Sequence, residues 1–375
     1  MRRAVVAFLA FKLLNLAVNL VAFPVLRSTA PAPTGRPARP SRSVSLLVPM
    51  RNETHRLADT LPGILAQGVD ELILLDDCST DATLEMARAL SSAGDALMVA
   101  GVPTPPGWTG KTWACSQLAT RAHGDVLVFC DADVLLAAGA MDAVVTEMDR
   151  QKADLLSVFP RQRTETLGEH LVVPLVDDVL LCLLPFPLLR ADAPSAATAN
   201  GSVMAFDRLA YARLGGFDAV RGELVEDVAL ARLTRRHGLQ LGLVLGGGMV
   251  QTRMYTDYSG CVTGLGRGLL PVTGGSRSLL VLGATWHLVA YTLPALVCLR
   301  HPSWVVPLLL AAAERLAVEA KTGRRQWWQA VLPPLSPVAA LPVVADALRR
   351  THSWKGRSYS GGATRRCMPD GAPPP

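Results

Sequence analysis

The stretch Gly124-Asp125-Val126-Leu127-Val128-Phe129-Cys130-Asp131-Ala132-Asp133-Val134 decides the fold. Val126–Cys130 is a short apolar run with no polar alternation, as expected of a strand buried on both faces of a parallel sheet. Two carboxylates follow at once. A hard divalent cation takes oxygen ligands, commonly one or two carboxylates completed by phosphate oxygens and water. Asp131 and Asp133 are therefore candidate ligands for Mg²⁺ or Mn²⁺. A D-x-D triplet by itself is also an ordinary solvated turn. Its place at the carboxyl end of a buried strand, the edge where open α/β sheets gather ligands, is what gives it weight.

Working outward toward the N-terminus, the same alternation repeats. Val44–Val48 and Leu72–Leu75 are further buried-strand runs, and Ala96–Ala100 a third. Leu57, Leu61, Ile64 and Leu65 fall at helical spacing before Gly68. Leu84, Ala87 and Leu90 mark a helix that Ser79, Thr80 or Asp81 can cap and Gly94 closes. Another helix is expected from about Lys111 to Ala122, ending at Gly124. Strands alternating with helices indicate an α/β domain with a mainly parallel sheet. Asp76-Asp77 ends the second strand, at the same edge as Asp131. A carboxylate there accepts hydrogen bonds from the paired donors of a nucleobase or ribose. Pro49-Met50-Arg51-Asn52-Glu53 adds a charged loop beside it.

Toward the C-terminus, Gly222-Glu223-Leu224-Val225-Glu226-Asp227 opens a helix with Leu224, Val228 and Ala231 on one face, and Arg235, Arg236 and His237 crowd its end. Acids early and cations late suit the helix dipole, which is one reading. The other is that one carboxylate of the Glu226-Asp227 pair serves as a base, taking the proton of an attacking hydroxyl.

Half of the 375 residues are apolar, only 5% are aromatic, and the net charge is +6, with Arg far outnumbering Lys. Such a surface suits anionic lipid or phosphorylated ligands, and nucleic acid is not expected as a partner. Seven cysteines, an odd number without a CxxC pair, argue against a disulfide framework or zinc site and fit scattered reduced thiols. Ala4–Leu26, behind Arg2 and Arg3, is long enough to span a bilayer and too long for a signal-peptide core. A transmembrane anchor is expected over residues 1–27 and a linker over 28–42, whose arginines place that side in the cytoplasm. The α/β domain would run from 43 to 275. The apolar stretch Leu171–Leu189 reads as core or membrane-facing helix, since a span would not carry Asp177-Asp178. Residues 276–350 hold membrane segments: Leu279–Leu299, Trp304–Ala320 interrupted by Glu314 and Arg315, and a proline-interrupted, re-entrant Ala330–Leu348. A basic, partly disordered tail, 351–375, closes the chain.

The order VSLLVPMRNE, ELILLDDCSTDAT, GWTGKTWACSQLA, GDVLVFCDADV, YARLGGFDAVRGELVEDVALA resembles family 2 glycosyltransferases. It is nearest the membrane-bound group associated with hopanoid and carotenoid glycosylation. The resemblance covers roughly residues 43–270 and implies a GT-A fold and transfer with inversion of the anomeric carbon. Carried over, Glu53, Asp76 and Asp77 would contact the nucleotide of a UDP- or GDP-sugar, and Lys111 the nucleotide or diphosphate. Asp131 and Asp133 would hold the metal, with Asp131 also touching the donor. Asp227 of the Glu226-Asp227 pair would be the base, and Gly215-Gly216 would shape the acceptor pocket. The Gln-x-x-Arg-Trp motif of processive synthases is absent. Gln251-Thr252-Arg253-Met254-Tyr255 is a loose echo of it, leaving Arg253 or Arg267 to meet diphosphate. Transfer of a single sugar to a lipid acceptor at the cell membrane, from a cytoplasmic domain, is the resulting expectation. A polyprenyl-phosphate acceptor and a non-catalytic scaffold are its rivals.

Overall fold

The computed structural model describes residues 1–28, 42–91, 96–191, 193–349, 351–354 and 357–360. Most of the expected linker and residues 361–375 of the expected tail lie outside these. The chain packs into two compact units, each assembled from separate stretches of sequence. One comprises the described residues of 24–161, 190–252 and 353–360. The other comprises residues 1–23, 162–189 and 253–352. The domain expected as a continuous 43–275 is thus interrupted. Residues 162–189 and 253–275 pack with the terminal helices, because their apolar faces are buried there.

The first unit is the α/β domain. Its strands include β1 (Val44–Met50), β2 (Glu71–Asp76), β3 (Leu97–Ala100), β4 (Val126–Cys130), β5 (Val134–Leu136) and β6 (Leu155–Phe159). The seven-stranded sheet has the order β3-β2-β1-β4, then Val203–Asp207, β6 and Leu241–Leu245. β1 pairs in parallel with both β2 and β4. Only Val203–Asp207 runs antiparallel to its neighbours, β4 and β6. The apolar runs are buried as the sequence requires: Leu46, Val48, Leu74, Val126 and Val128 face Leu57, Leu61, Ile64, Val144 and Met148 of the covering helices in one core. Each such side chain contributes about 1.5–3 kcal/mol on burial. The order in which strands join the sheet reverses between β1 and β4, the switch point at which such sheets leave a crevice. The loops after those two strands carry Arg51–Glu53 and Asp131–Asp133.

Two helix expectations are corrected. The helix after β2 runs from Thr83 to Leu90, later than Ser79 or Thr80 would cap it. The Asp81 carboxylate accepts from Thr83 N at 3.1 Å, while Ser79 Oγ and Thr80 N are engaged by Asn52. The helix of the Glu226-Asp227 motif spans Glu226–Arg236, so Leu224 precedes it and lies on no helical face.

In the second unit, helix Arg2–Ala22 is long and apolar enough to cross a membrane, as is the helical stretch Arg277–Val297. The polar residues that interrupt the first of these point inward. Lys12, Asn15 and Asn19 lie on its buried face, whereas Phe11, Leu14 and Val21 are exposed. Lys12 Nζ donates to Asp178 at 2.7 Å and to Glu314 at 3.1 Å. Asn19 donates to the carbonyls of Leu181 and Leu184 and accepts from Phe186 N. Lys321 closes the helix by donating to the carbonyls of Leu20 and Phe23. Polar-in and apolar-out is the pattern of a helix whose surroundings are less polar than its partners. Asp178, Cys182 and Glu314 are close enough together to hold an ion. Lys12 already satisfies two of them, so we read the trio as a charge cluster. Of the tail motif Trp354–Tyr359, Trp354 ends strand Thr351–Trp354, and Arg357, Ser358 and Tyr359 lie in strand Arg357–Ser360.

Candidate active site

Helix Gly110–Ala119 starts at Thr109, whose hydroxyl accepts from Thr112 N. The same turn is tied to the residue ahead of the Gly222–Asp227 motif: Thr109 N and Thr112 Oγ1 both donate to Arg221 O at 2.7 Å. That stitching puts Lys111 between two sequence-distant acids. Its Nζ lies 2.8 Å from Asp131 Oδ1 and 3.1 Å from Glu226 Oε1. Asp227 borders the same space. A methyl group on Gly201 would sit 3.2 Å from Lys111 Nζ and 3.4 Å from Asp227 Oδ2.

The D-x-D turn is fixed along its backbone. Asp131 N donates to Ser202 O at 2.9 Å, Thr60 Oγ1 to Ala132 O at 2.7 Å and Thr252 Oγ1 to Asp133 O at 3.2 Å. The Asp133 carboxylate accepts from Arg56 Nη1 at 3.0 Å. Each carboxylate of the pair therefore already holds a positive group, Lys111 or Arg56. Hard oxygen donors on a rigid turn that draws positive charge fit a divalent cation.

Lys111 and Asp131 side chains are 36% and 28% exposed. Burial pushes the Asp131 carboxyl up to about 6; Lys111 opposes this, and Asp133 and Glu226 add to it. Burial and then the Glu226 carboxylate push Asp227 up to about 7, again against Lys111. Burial alone would lower Lys111, but Asp131 and Glu226 hold it well above the usual lysine range.

The Asp76-Asp77 loop stands at the same sheet edge. Asp77 N donates to Met50 O, and Arg51 donates to Asp77 O at 2.6 Å. Asp76 Oδ2 accepts from Ser79 N at 3.2 Å, while its buried Oδ1 has no hydrogen-bond partner among the described residues. Asn52 and Cys78, both with φ 53°, hold left-handed conformations in the loops after β1 and β2. Such strain in non-glycine residues collects at functional edges. Glu53 is buried and begins helix Thr54–Leu65. The Cys115 thiol, buried one turn along from Lys111, is pushed up by burial and feels the charges of Lys111, Asp131, Glu226 and Asp77 together. The charge of Asp77 thus reaches the helix that carries Lys111.

The remaining expected residues have other surroundings. Gly215 and Gly216 take φ 76° and 56° at the end of helix Arg208–Leu214, and a side chain on Gly216 would strike the Tyr211 ring at 2.6 Å. This turn accounts for both glycines. Arg253 is paired with Glu169 at 2.9 Å and Glu165 at 2.7 Å within the unit of terminal helices. Arg267 lies on helix Tyr258–Val272 of that unit. Arg56 and Gly201 were not singled out from the sequence. Gly201 left no signal. Arg56 left one: with His55 it puts basic groups in the first turn of helix Thr54–Leu65, where the dipole disfavours them and no acid is present.

Residues 45–173 match the family model described as glycosyl transferase family 2. A 4,4'-diaponeurosporenoate glycosyltransferase of Staphylococcus aureus (strain USA300) is 25% identical over 336 residues, 85% of this chain and 88% of that protein. One from Staphylococcus haemolyticus is 28% identical over 223 residues, 59% of each chain. Among solved structures, a mannosyltransferase from Pyrobaculum calidifontis in complex with GDP-Man and Mn²⁺ aligns with a TM-score of 0.52 at 18% identity. That alignment covers 93% of this chain and 99% of that one, and it shows the shared GT-A fold.

Proposed function

We propose, for a chain that carries a glycosyl transferase family 2 domain, that it moves a single sugar from a UDP- or GDP-sugar to a lipid or terpenoid hydroxyl, with inversion. The observation that carries this is the bridge from Asp131 through Lys111 to Glu226, with Asp227 alongside. It joins the phosphate-binding and proton-accepting halves of such a reaction in one cleft. Asp227 takes the proton of the acceptor hydroxyl as its oxygen attacks the anomeric carbon from the face opposite the nucleotide. A carboxyl raised to about 7 is poised to do so near neutral pH. Asp76, with an unpartnered Oδ1, accepts from the nucleoside, and Asp77 and Glu53 line the same edge. Lys111 pairs with the diphosphate. Mg²⁺ or Mn²⁺ held by Asp131 and Asp133 would neutralise the charge growing on the leaving diphosphate. Holding both reactants in line supplies much of the rate.

The acceptor class rests on the two membrane-competent helices and on the carotenoid acid named for the relatives. With the basic linker, these favour a membrane-bound, multi-pass protein whose α/β domain is cytoplasmic. The test is mass spectrometry of lipids from cells with and without the gene, joined to transfer assays with UDP- and GDP-sugars. A glycolipid that disappears supplies sugar and acceptor together. Purified protein that neither transfers nor hydrolyses any donor would overturn the reading and leave a scaffold. An acid or phosphate acceptor is already ionised and needs no base, so full activity in Asp227→Asn would replace the hydroxyl acceptor with one of those.

A further inference from the structure

Both carboxylates of the D-x-D turn are held by cations, and both cations stand in the first turn of a helix. Lys111 reaches Asp131 at 2.8 Å from helix Gly110–Ala119, and Arg56 reaches Asp133 at 3.0 Å from helix Thr54–Leu65. The N-terminal end of a helix repels positive charge. Local helix chemistry therefore does not put these residues there; their tertiary partners do.

We infer that Lys111 and Arg56 are resident countercharges that keep Asp131 and Asp133 from a bare divalent cation and pass to the diphosphate when metal and nucleotide arrive together. This rests on the metal reading of the pair given above. On the turn itself two carboxylates are matched by two cationic side chains, with Glu226 a further acid on Lys111. A dication alone must displace or crowd both, leaving positive groups together in a cleft where screening is weak. A dication accompanied by a diphosphate diester adds no net charge, and the displaced side chains gain phosphate oxygens as new partners. Arginine matches phosphate with a planar fork and lysine serves it as a point charge. Lys111 is held by Glu226 as well, at 3.1 Å.

The experiment is Mn²⁺ binding to the full-length protein in detergent, read from loss of the free-ion EPR signal, without nucleotide and then with UDP or GDP. Wild-type protein is expected to bind Mn²⁺ weakly alone and at least about tenfold more tightly with one of the nucleotides. Lys111→Gln and Arg56→Gln should each bind Mn²⁺ alone at least about fivefold more tightly than wild type, with a smaller nucleotide effect. Lys111→Arg, which keeps the charge, should behave as wild type. If both Gln variants bind bare Mn²⁺ no more tightly than wild type and keep the full nucleotide effect, the inference is overturned while the metal reading stands. If wild type binds no Mn²⁺ under any condition, or Asp133→Ala binds it as well as wild type, the metal reading fails and the inference with it.

Discussion

Asp131 and Glu226 bind the same ammonium, that of Lys111, at 2.8 and 3.1 Å. One lysine therefore sets the spacing between the expected metal-binding turn and the expected base.

Asp227→Asn should reduce transfer by roughly 10²–10⁴-fold, the usual worth of a positioned base. Donor binding should change little, because Asp227 is assigned to the acceptor side. Equal loss of donor affinity, measured by calorimetry, would move Asp227 out of that role.

The pH profile follows from the same carboxyl. A base acts when ionised, so transfer should rise with pH through about 7 and then level, and Asp227→Asn should lose that limb. Stability has the opposite slope. A carboxyl whose folded pKa lies above its unfolded value favours the fold most at low pH and loses that contribution as pH rises through about 7. At pH 8, Asp227→Asn should therefore melt higher than wild type, by about 2–4 °C for each ~1 kcal/mol recovered in a chain of this size. A lower melting point there would count against the raised carboxyl.

Asp133→Ala should abolish transfer while the protein stays folded, since its carboxylate is partly exposed and its best-defined partner is Arg56 at 3.0 Å. Circular dichroism and melting temperature check the fold. Substantial remaining activity would remove Asp133 from metal binding.

Gly201→Ala places a methyl group 3.2 Å from Lys111 Nζ, closer than side chains ordinarily pack. The ammonium must shift by a few tenths of an ångström, away from Asp131 or Glu226. Misplacements of this kind cost up to about 10²-fold for a full ångström. The expected result is a drop of about tenfold in kcat/KM with an unchanged melting temperature. Wild-type kinetics would show that Lys111 placement does not govern the rate.

Lys12→Met should destabilise the terminal-helix unit by roughly 3–5 kcal/mol, because Asp178 and Glu314 are left without their shared cation. Thermal unfolding in detergent reads this directly. Adding Glu314→Gln should restore part of the loss, since one uncompensated charge is then removed.

Most of the α/β layout was legible in the sequence. Buried parallel strands must be apolar on both faces, so β1, β2 and β4 stood out as runs, and the acids after β2 and β4 marked the edge that binds ligands. Helix starts were less legible. Helix Thr83–Leu90 starts after Ala82 with no side-chain cap, the Asp81 carboxylate accepting from Thr83 N, because Ser79 and Thr80 are drawn into contacts with Asn52 across the loop.

By itself the sequence determined the strands, their acidic ends and the presence of long apolar helices, since each is a local consequence of periodicity and burial. Only the tertiary structure decided that Lys111 joins Asp131 to Glu226, that Arg56 holds Asp133, and that Lys12 faces inward. Those facts depend on which distant surfaces meet, and a charge finds its partner only once the chain has folded around both.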